Sequence, residues 1–131
     1  MKSLSEIETT SKRASRASGY SWGISEEVGK SIRLLEMFNL KGVKNLNEYF
    51  QEKQKKNFEN LNLINEKNEC SEFSYCPIIL GVSFLDQIEN LEKIRTINFS
   101  KIAYPLLFLP FLSRSSEVIG KKISFKFEKN E

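Results

Sequence analysis

The chain has 131 residues, 40% apolar, 11% aromatic and 28% charged, with a net charge of +3. That composition fits one globular domain that buries about two-thirds of its unfolded surface, and it excludes a disordered or collagen-like chain. With no histidine anywhere, it also excludes every Ser-His, Cys-His or His-ligated metal site built from its own residues.

The first forty residues carry the clearest local signals. Ser3-x-x-Glu6 is a capping box, in which a hydroxyl and a carboxylate satisfy amides that the first helical turn leaves unpaired. Leu4, Ile7, Ser11, Ala14 and Ser18 then recur at helical spacing, and Gly19 is placed to end the helix. This face is mostly small, which predicts close packing against a neighbour. Ser25 is expected to cap a second helix, with Glu26 and Glu27 in its first turn, where negative charge complements the helix dipole. Val28, Ile32, Leu34, Leu35 and Phe38 supply its buried side, and Gly42 ends it. A third helix is expected from Asn45, with Leu46, Tyr49 and Phe50 inward, running into the charged stretch QEKQKKNFEN. Residues 65–72 are polar and read as an exposed loop.

The second half is apolar. Cys76-Pro77 followed by IILGVSFLDQIENL reads either as a helix with Pro77 at its first position and Ile78, Val82 and Leu85 on one side, or as the start of a strand. Ile94 to Phe99 predicts a short strand. Pro105 is expected to open a helix through Ile119, capped by Gly120 and interrupted or restarted at Pro110. Ile123, Phe125 and Phe127 alternate with polar residues as a strand does. The fold class is therefore α+β: an N-terminal helical hairpin plus a third helix, then a mixed half with short strands and a Pro-containing apolar helix. One domain is expected over residues 1–131, with a helical part at 1–64, the polar loop at 65–72 and a mixed part at 73–131.

Charge is spread along the chain. Residues 1–60 hold 11 basic and 8 acidic groups, residues 61–100 hold 3 and 6, and residues 101–131 hold 6 and 3. A nucleic-acid binder carries a more lopsided face, so nucleic acid is not an expected partner. The two cysteines, Cys70 and Cys76, are too few for a disulfide framework and too widely spaced for a zinc knuckle. No metal or cofactor is expected. The N-terminus has no apolar signal core. The longest apolar run, Ile102 to Leu112, is broken by Pro105 and Pro110 and falls short of the about 20 residues that cross a bilayer. A soluble, cytoplasmic, reducing setting is expected, with no membrane contact.

Five features bear on chemistry. Gly23 to Ser31 imitates a phosphate-binding loop, but five residues separate Gly23 from Gly29 where four are required, and Glu26 and Glu27 would repel phosphate. The connection from Gly19 to Ile24 is long for a DNA-binding helix-turn-helix. Cys76 is the one conceivable nucleophile, because a helix beginning at Pro77 would favour its thiolate, yet no base accompanies it. Tyr20 and Trp22 stand in the turn between two helices, where aromatics either mark a binding face or plug the end of a hairpin. Lys53, Lys55 and Lys56 form a basic cluster with the composition of a solvated helix face. The leading expectation is a non-catalytic protein-interaction or accessory domain. The alternative is a metabolic enzyme or ligand-binding subunit for a small organic acid. In it Arg33, Arg95 or Arg114 would hold a carboxylate, with Glu26, Glu27 or Asp86 as acid or base. The candidate binding residues are thus Tyr20, Trp22, Glu26, Arg33, Cys76 and Arg114.

The turn G-Y-x-W-G-x-x-E-E is matched by Gly19, Tyr20, Trp22, Gly23, Glu26 and Glu27. Cys76, Pro77, Leu80 and Gly81 match C-P-x-x-L-G, and the stretch from Pro105 to Phe111 matches P-L-L-x-L-P-F. In these motifs the chain resembles an uncharacterised bacterial family, one of the domains of unknown function. That resemblance implies no activity, substrate or catalytic residue, and it implies members that continue beyond this chain's end. Residues 1–45 are also similar to the opening of the non-Rossmann malate/L-lactate dehydrogenase family, in the order helix, turn, S-E-E, helix, L-K-G. That family supplies a catalytic histidine just after the glycine. Here Gly42 is followed by Val43, Lys44, Asn45 and Leu46, so this likeness implies a helical hairpin without the chemistry.

Overall fold

The computed structural model describes residues 3–69 and 73–126. Helices α1 (Leu4–Ala17), α2 (Trp22–Met37) and α3 (Gly42–Lys53) are followed by the short strand β1 (Lys67–Asn68) and by α4 (Pro77–Leu91). Strand β2 (Asn98–Phe99), a 3-10 turn at Pro105–Leu107 and α5 (Leu109–Ile119) complete the chain. The class is α+β with helices in the majority.

The Ser3 hydroxyl accepts from the Glu6 amide and opens α1. At its other end the Tyr20 amide reaches the Ser15 carbonyl and the Gly19 amide reaches the Arg16 carbonyl. This closing loop needs a left-handed residue, and Gly19 supplies it at φ +102°. The predicted small face is where α1 meets α2: Ser11 and Ser15 are buried. A Cβ added to Gly29 of α2 would stand 2.8 Å from the Glu8 carbonyl oxygen. Ion pairs at Lys12–Glu26 and, further along, Glu8–Arg33 show that the two helices run antiparallel. They form a hairpin, and the connection is shorter than expected. Ser21, not Ser25, caps α2 by accepting from the Ile24 amide at 3.2 Å. Ser25 is fully buried, and Glu26 and Glu27 lie beyond the first turn.

Two further boundaries differ from the sequence reading. Helix α2 ends at Met37, where Asn39 adopts φ +60° and the Leu40 amide bonds the Leu35 carbonyl at 2.9 Å. Gly42 therefore starts α3 and does not end α2. It does so because α3 approaches α2 so closely there that a Cβ would lie 2.9 Å from the Leu35 Cβ. Phe38, expected inside, is 67% exposed, since the helix has already turned over at its position.

Residues from 77 form the helix α4, with Pro77 at its start. Its buried stripe is Ile78, Leu80, Gly81, Phe84, Ile88 and Leu91, while Val82 and Leu85 are only half-buried. The interruption at Pro110 is a restart: the 3-10 turn ends at Leu107 and α5 begins at Leu109. Gly81 marks the contact between the two helices, because a Cβ there would overlap the Phe111 ring.

Strands are few. Within the polar stretch 65–72, β1 pairs in parallel with β2, Lys67 opposite Asn98 and Asn68 opposite Phe99. Asn68 is buried and bonded through its side chain to Asn65 and to the Asn98 carbonyl. A second parallel set joins Glu59 to Tyr75 and Tyr75 to Ile102. Residues 123–126 form no strand. Their alternation still turns Ile123 and Phe125 onto the core, and Phe125 packs edge-on against Phe108. Phe127 and Cys70 lie outside the described residues. No described helix is long and apolar enough to cross a membrane.

Candidate functional site

The α1–α2 turn separates the two aromatic residues that the sequence places together. Between the α1 closing loop and the Ser21 cap, Tyr20 faces inward and is buried, whereas Trp22 opens α2 and is 59% exposed. Tyr20 thus plugs the end of the hairpin, stacked near Phe50 with the Lys53 ammonium 4.4 Å above its ring. Trp22 stays at the surface under two cations, Arg16 at 5.0 Å and Lys12 at 5.7 Å from its ring centre. Lys12 also pairs with Glu26 at 3.2 Å, so Trp22 and Glu26 share one cation-bridged surface.

Cys76 precedes α4 and is buried. Its sulfur lies 3.3 Å from the Tyr20 hydroxyl. Sequence reasoning assigned Tyr49 to the core but not to this group. It is wholly buried, and its hydroxyl stands beside the Tyr20 hydroxyl and the Cys76 sulfur without a well-aligned hydrogen bond to either. Desolvation, and then the proximity of Cys76, raise both Tyr20 and Tyr49 well above the ordinary tyrosine range. A signal was present in the sequence: two tyrosines and a cysteine at core positions are three polar atoms that must find one another. Phe58 and Tyr104 pack their rings against Tyr49 and close the group off. Desolvation followed by the nearby Glu52 carboxylate raises Tyr104 as well.

The arginines offered for carboxylate binding stand apart, and two of them already hold carboxylates of this chain. Arg33 meets Glu8 at 3.3 Å, and Arg114 ties α5 to Glu27 of α2. Glu27 also reaches Lys30 at 3.8 Å, and Gly29 and Ser31 on either side of it are buried within α2, so the segment is interior helix and not a phosphate loop. Arg95 is exposed.

The most exposed apolar surface was not foreseen. Within seven residues at the α2–α3 corner, Met37, Phe38, Leu40 and Val43 are 51, 67, 42 and 38% exposed. Devices local to the corner hold it in shape. Asn39 provides the left-handed turn, Gly42 seats α3 on Leu35, and the Glu36 carboxylate accepts from the Val43 amide at 2.9 Å. An open groove of about 550 Å³ lies beside it, lined by Leu40, Lys41, Val43, Lys44, Asn47 and Glu48 among others. Large apolar side chains are thus held outward by a braced turn.

No curated protein and no solved structure matches this chain. A family model does match, over residues 2–74. Those residues include α1, α2, α3 and β1, and therefore both Trp22 and the apolar corner, but they end ahead of Cys76 and of the α4–α5 pair. Since the match spans more than half of the chain, this protein belongs to the family described as "Protein of unknown function (DUF3726)".

Proposed function

We propose that the chain is a non-catalytic protein-interaction or accessory domain whose contact surface is the α2–α3 corner. The exposed run Met37, Phe38, Leu40 and Val43 on a braced turn carries this reading. The engagement of Arg33 and Arg114 by Glu8 and Glu27 favours it over an organic-acid site. Trp22, with its flanking cations, is a secondary contact point on the opposite end of α2. The reading treats residues 1–131 as one folding unit, supported by the Glu27–Arg114 pair and the Tyr20–Cys76 contact that join the two halves. It places the chain in a reducing, cytoplasmic setting, in keeping with a Cys76 thiol packed against a phenol.

A photo-crosslinking residue at position 38 tests the proposal in cells, with position 63 as the control, since Leu63 is 69% exposed elsewhere on the chain. The expected result is a discrete protein adduct from position 38 and none from position 63. Equal, diffuse labelling from both positions would overturn it.

A further inference from the structure

Charge that is spread along the sequence is gathered by the fold at the α1–α2 turn. Lys12, Arg13 and Arg16 lie in the last turns of α1, Lys53 ends α3, and Lys55 and Lys56 follow it. The Lys53 ammonium donates to the Ser18 carbonyl at 3.1 Å, and the Arg16 guanidinium donates to the Tyr20 carbonyl at 3.0 Å. Both sets of cations therefore meet at one turn, where the Trp22 ring is exposed beneath Arg16. Lys12 pairs with Glu26 and Lys56 with Glu52. Among the described residues Arg13, Arg16, Lys53 and Lys55 have no carboxylate partner. These four cations exceed the net charge of the whole chain, +3, so the rest of the molecule is on balance slightly negative.

A small positive patch around one aromatic ring is complementary to carboxylates on a short stretch of chain. The N–H groups of Arg16 left over from the Tyr20 carbonyl can hold one carboxylate, and the Lys53 ammonium another. Longer polyanions fit less well. A nucleic-acid strand would run past the four cations onto a surface of the opposite balance. An anionic bilayer needs more apolar area than one indole, and among the described residues neither α1 nor the end of α3 adds a second large exposed apolar side chain to Trp22. We propose that the α1–α2 turn docks an acidic segment of a partner protein. Its carboxylates meet Arg16 and Lys53, and an apolar side chain of the segment covers the open part of the Trp22 ring. The inference rests on the reading of the chain as an interaction domain with Trp22 as a contact point, and it names the chemistry of the partner there.

Fluorescence anisotropy tests it, with the full chain titrated into a short labelled peptide of glutamates around one leucine. The same peptide with glutamine for glutamate, a labelled oligothymidylate and vesicles of phosphatidylserine in phosphatidylcholine are the comparisons. The glutamate peptide is expected to bind saturably at micromolar chain and to weaken as salt is added. Arg16→Gln and Lys55→Glu should each weaken it by about fivefold, and Trp22→Ala by about tenfold. Phe38→Asp, at the other end of α2, should leave it unchanged. Melting curves confirm that each variant folds, and the exposed Lys55 side chain makes no bond within the described fold that its replacement could break. No binding up to millimolar chain, equal binding of the glutamine peptide, or indifference to all three substitutions overturns the proposal. Tighter binding of the oligothymidylate or of the vesicles overturns it as well. If the peptide fails while position 38 still gives a discrete adduct, this inference falls and the α2–α3 corner stands. If the peptide binds while position 38 labels diffusely, the turn stands and the corner falls.

Discussion

The Tyr20 hydroxyl lies 3.3 Å from the Cys76 sulfur, although 56 residues separate them. The contact ties the α1–α2 turn to the start of α4, and it sits beside the wholly buried Tyr49 hydroxyl, which neighbours both groups without a well-aligned bond. The two phenols therefore differ in their weight for stability. Tyr20→Phe breaks a bond to the buried thiol, at a cost of about 1 kcal/mol. Tyr49→Phe keeps the ring contacts and removes a hydroxyl that is poorly aligned with its neighbours, so it should change stability by less than about 0.5 kcal/mol. Urea unfolding of the two variants checks this. A larger loss from Tyr49→Phe than from Tyr20→Phe would contradict the assignment.

The raised values at Tyr20 and Tyr49 link the fold to alkaline pH. Both phenols ionise more readily in the unfolded chain, where the ordinary value is about 10. Their contribution is complete below that value and is lost as pH rises above it towards the raised folded values. Unfolding free energy should therefore fall steeply above about pH 10, and more gently in the Tyr20→Phe/Tyr49→Phe double variant. Denaturation curves between about pH 8 and pH 11 decide it, and parallel slopes for both proteins would refute the link.

Trp22 is the chain's one tryptophan, so fluorescence excited at the red edge, where the four tyrosines do not absorb, reports its surroundings alone. The exposed ring beneath Arg16 and Lys12 should emit as a hydrated indole. Relative to free N-acetyltryptophanamide, the ratio of iodide to caesium quenching should be raised, because the cations draw the anion in, and added salt should lower it. Trp22→Ala should cost less than about 1 kcal/mol, the scale of exposed cation–π contacts. An iodide-to-caesium ratio equal to that of the free indole would show that the cations do not cover the ring.

Glycines of one sequence type differ sharply in their tolerance. Alanine at Gly81 gains helix propensity worth about 1 kcal/mol but drives a methyl group into the Phe111 ring. A net loss of about 2 kcal/mol is expected. Nothing lies within 4 Å of a Cβ at Gly23, so Gly23→Ala should be neutral or stabilise by up to about 0.5 kcal/mol. Thermal melts of the two variants provide the comparison. A stable Gly81→Ala protein would mean that α4 and α5 do not meet there.

Much of the helical part was legible because its signals act within a turn or two of chain. The Ser3 cap, the Gly19 terminator, the small face of α1 and the inward Leu46, Tyr49 and Phe50 all follow from local spacing. Boundaries failed where two local signals competed. Ser21 and Ser25 can each cap a helix, and Gly42 can end one or begin the next. The choice between them was made by the burial of Ser25 and by the approach of α3 to Leu35. The alternation at Ile123 and Phe125 gave no strand for a different reason, since a period of two specifies which side chains face inward but not whether a neighbouring strand exists.

The sequence by itself determined the helical hairpin and third helix, the exclusion of any histidine chemistry, and the glycine and proline punctuation of the second half. Tertiary structure alone decided that Tyr20 turns inward and Trp22 outward, and that Cys76 meets Tyr20. It also decided that Arg33 and Arg114 hold carboxylates of their own chain, and that Phe38 joins an exposed corner. The physical reason is range. Caps and periodicity are set by amides and side chains a few residues apart, whereas burial and pairing depend on what distant segments bring to the same place.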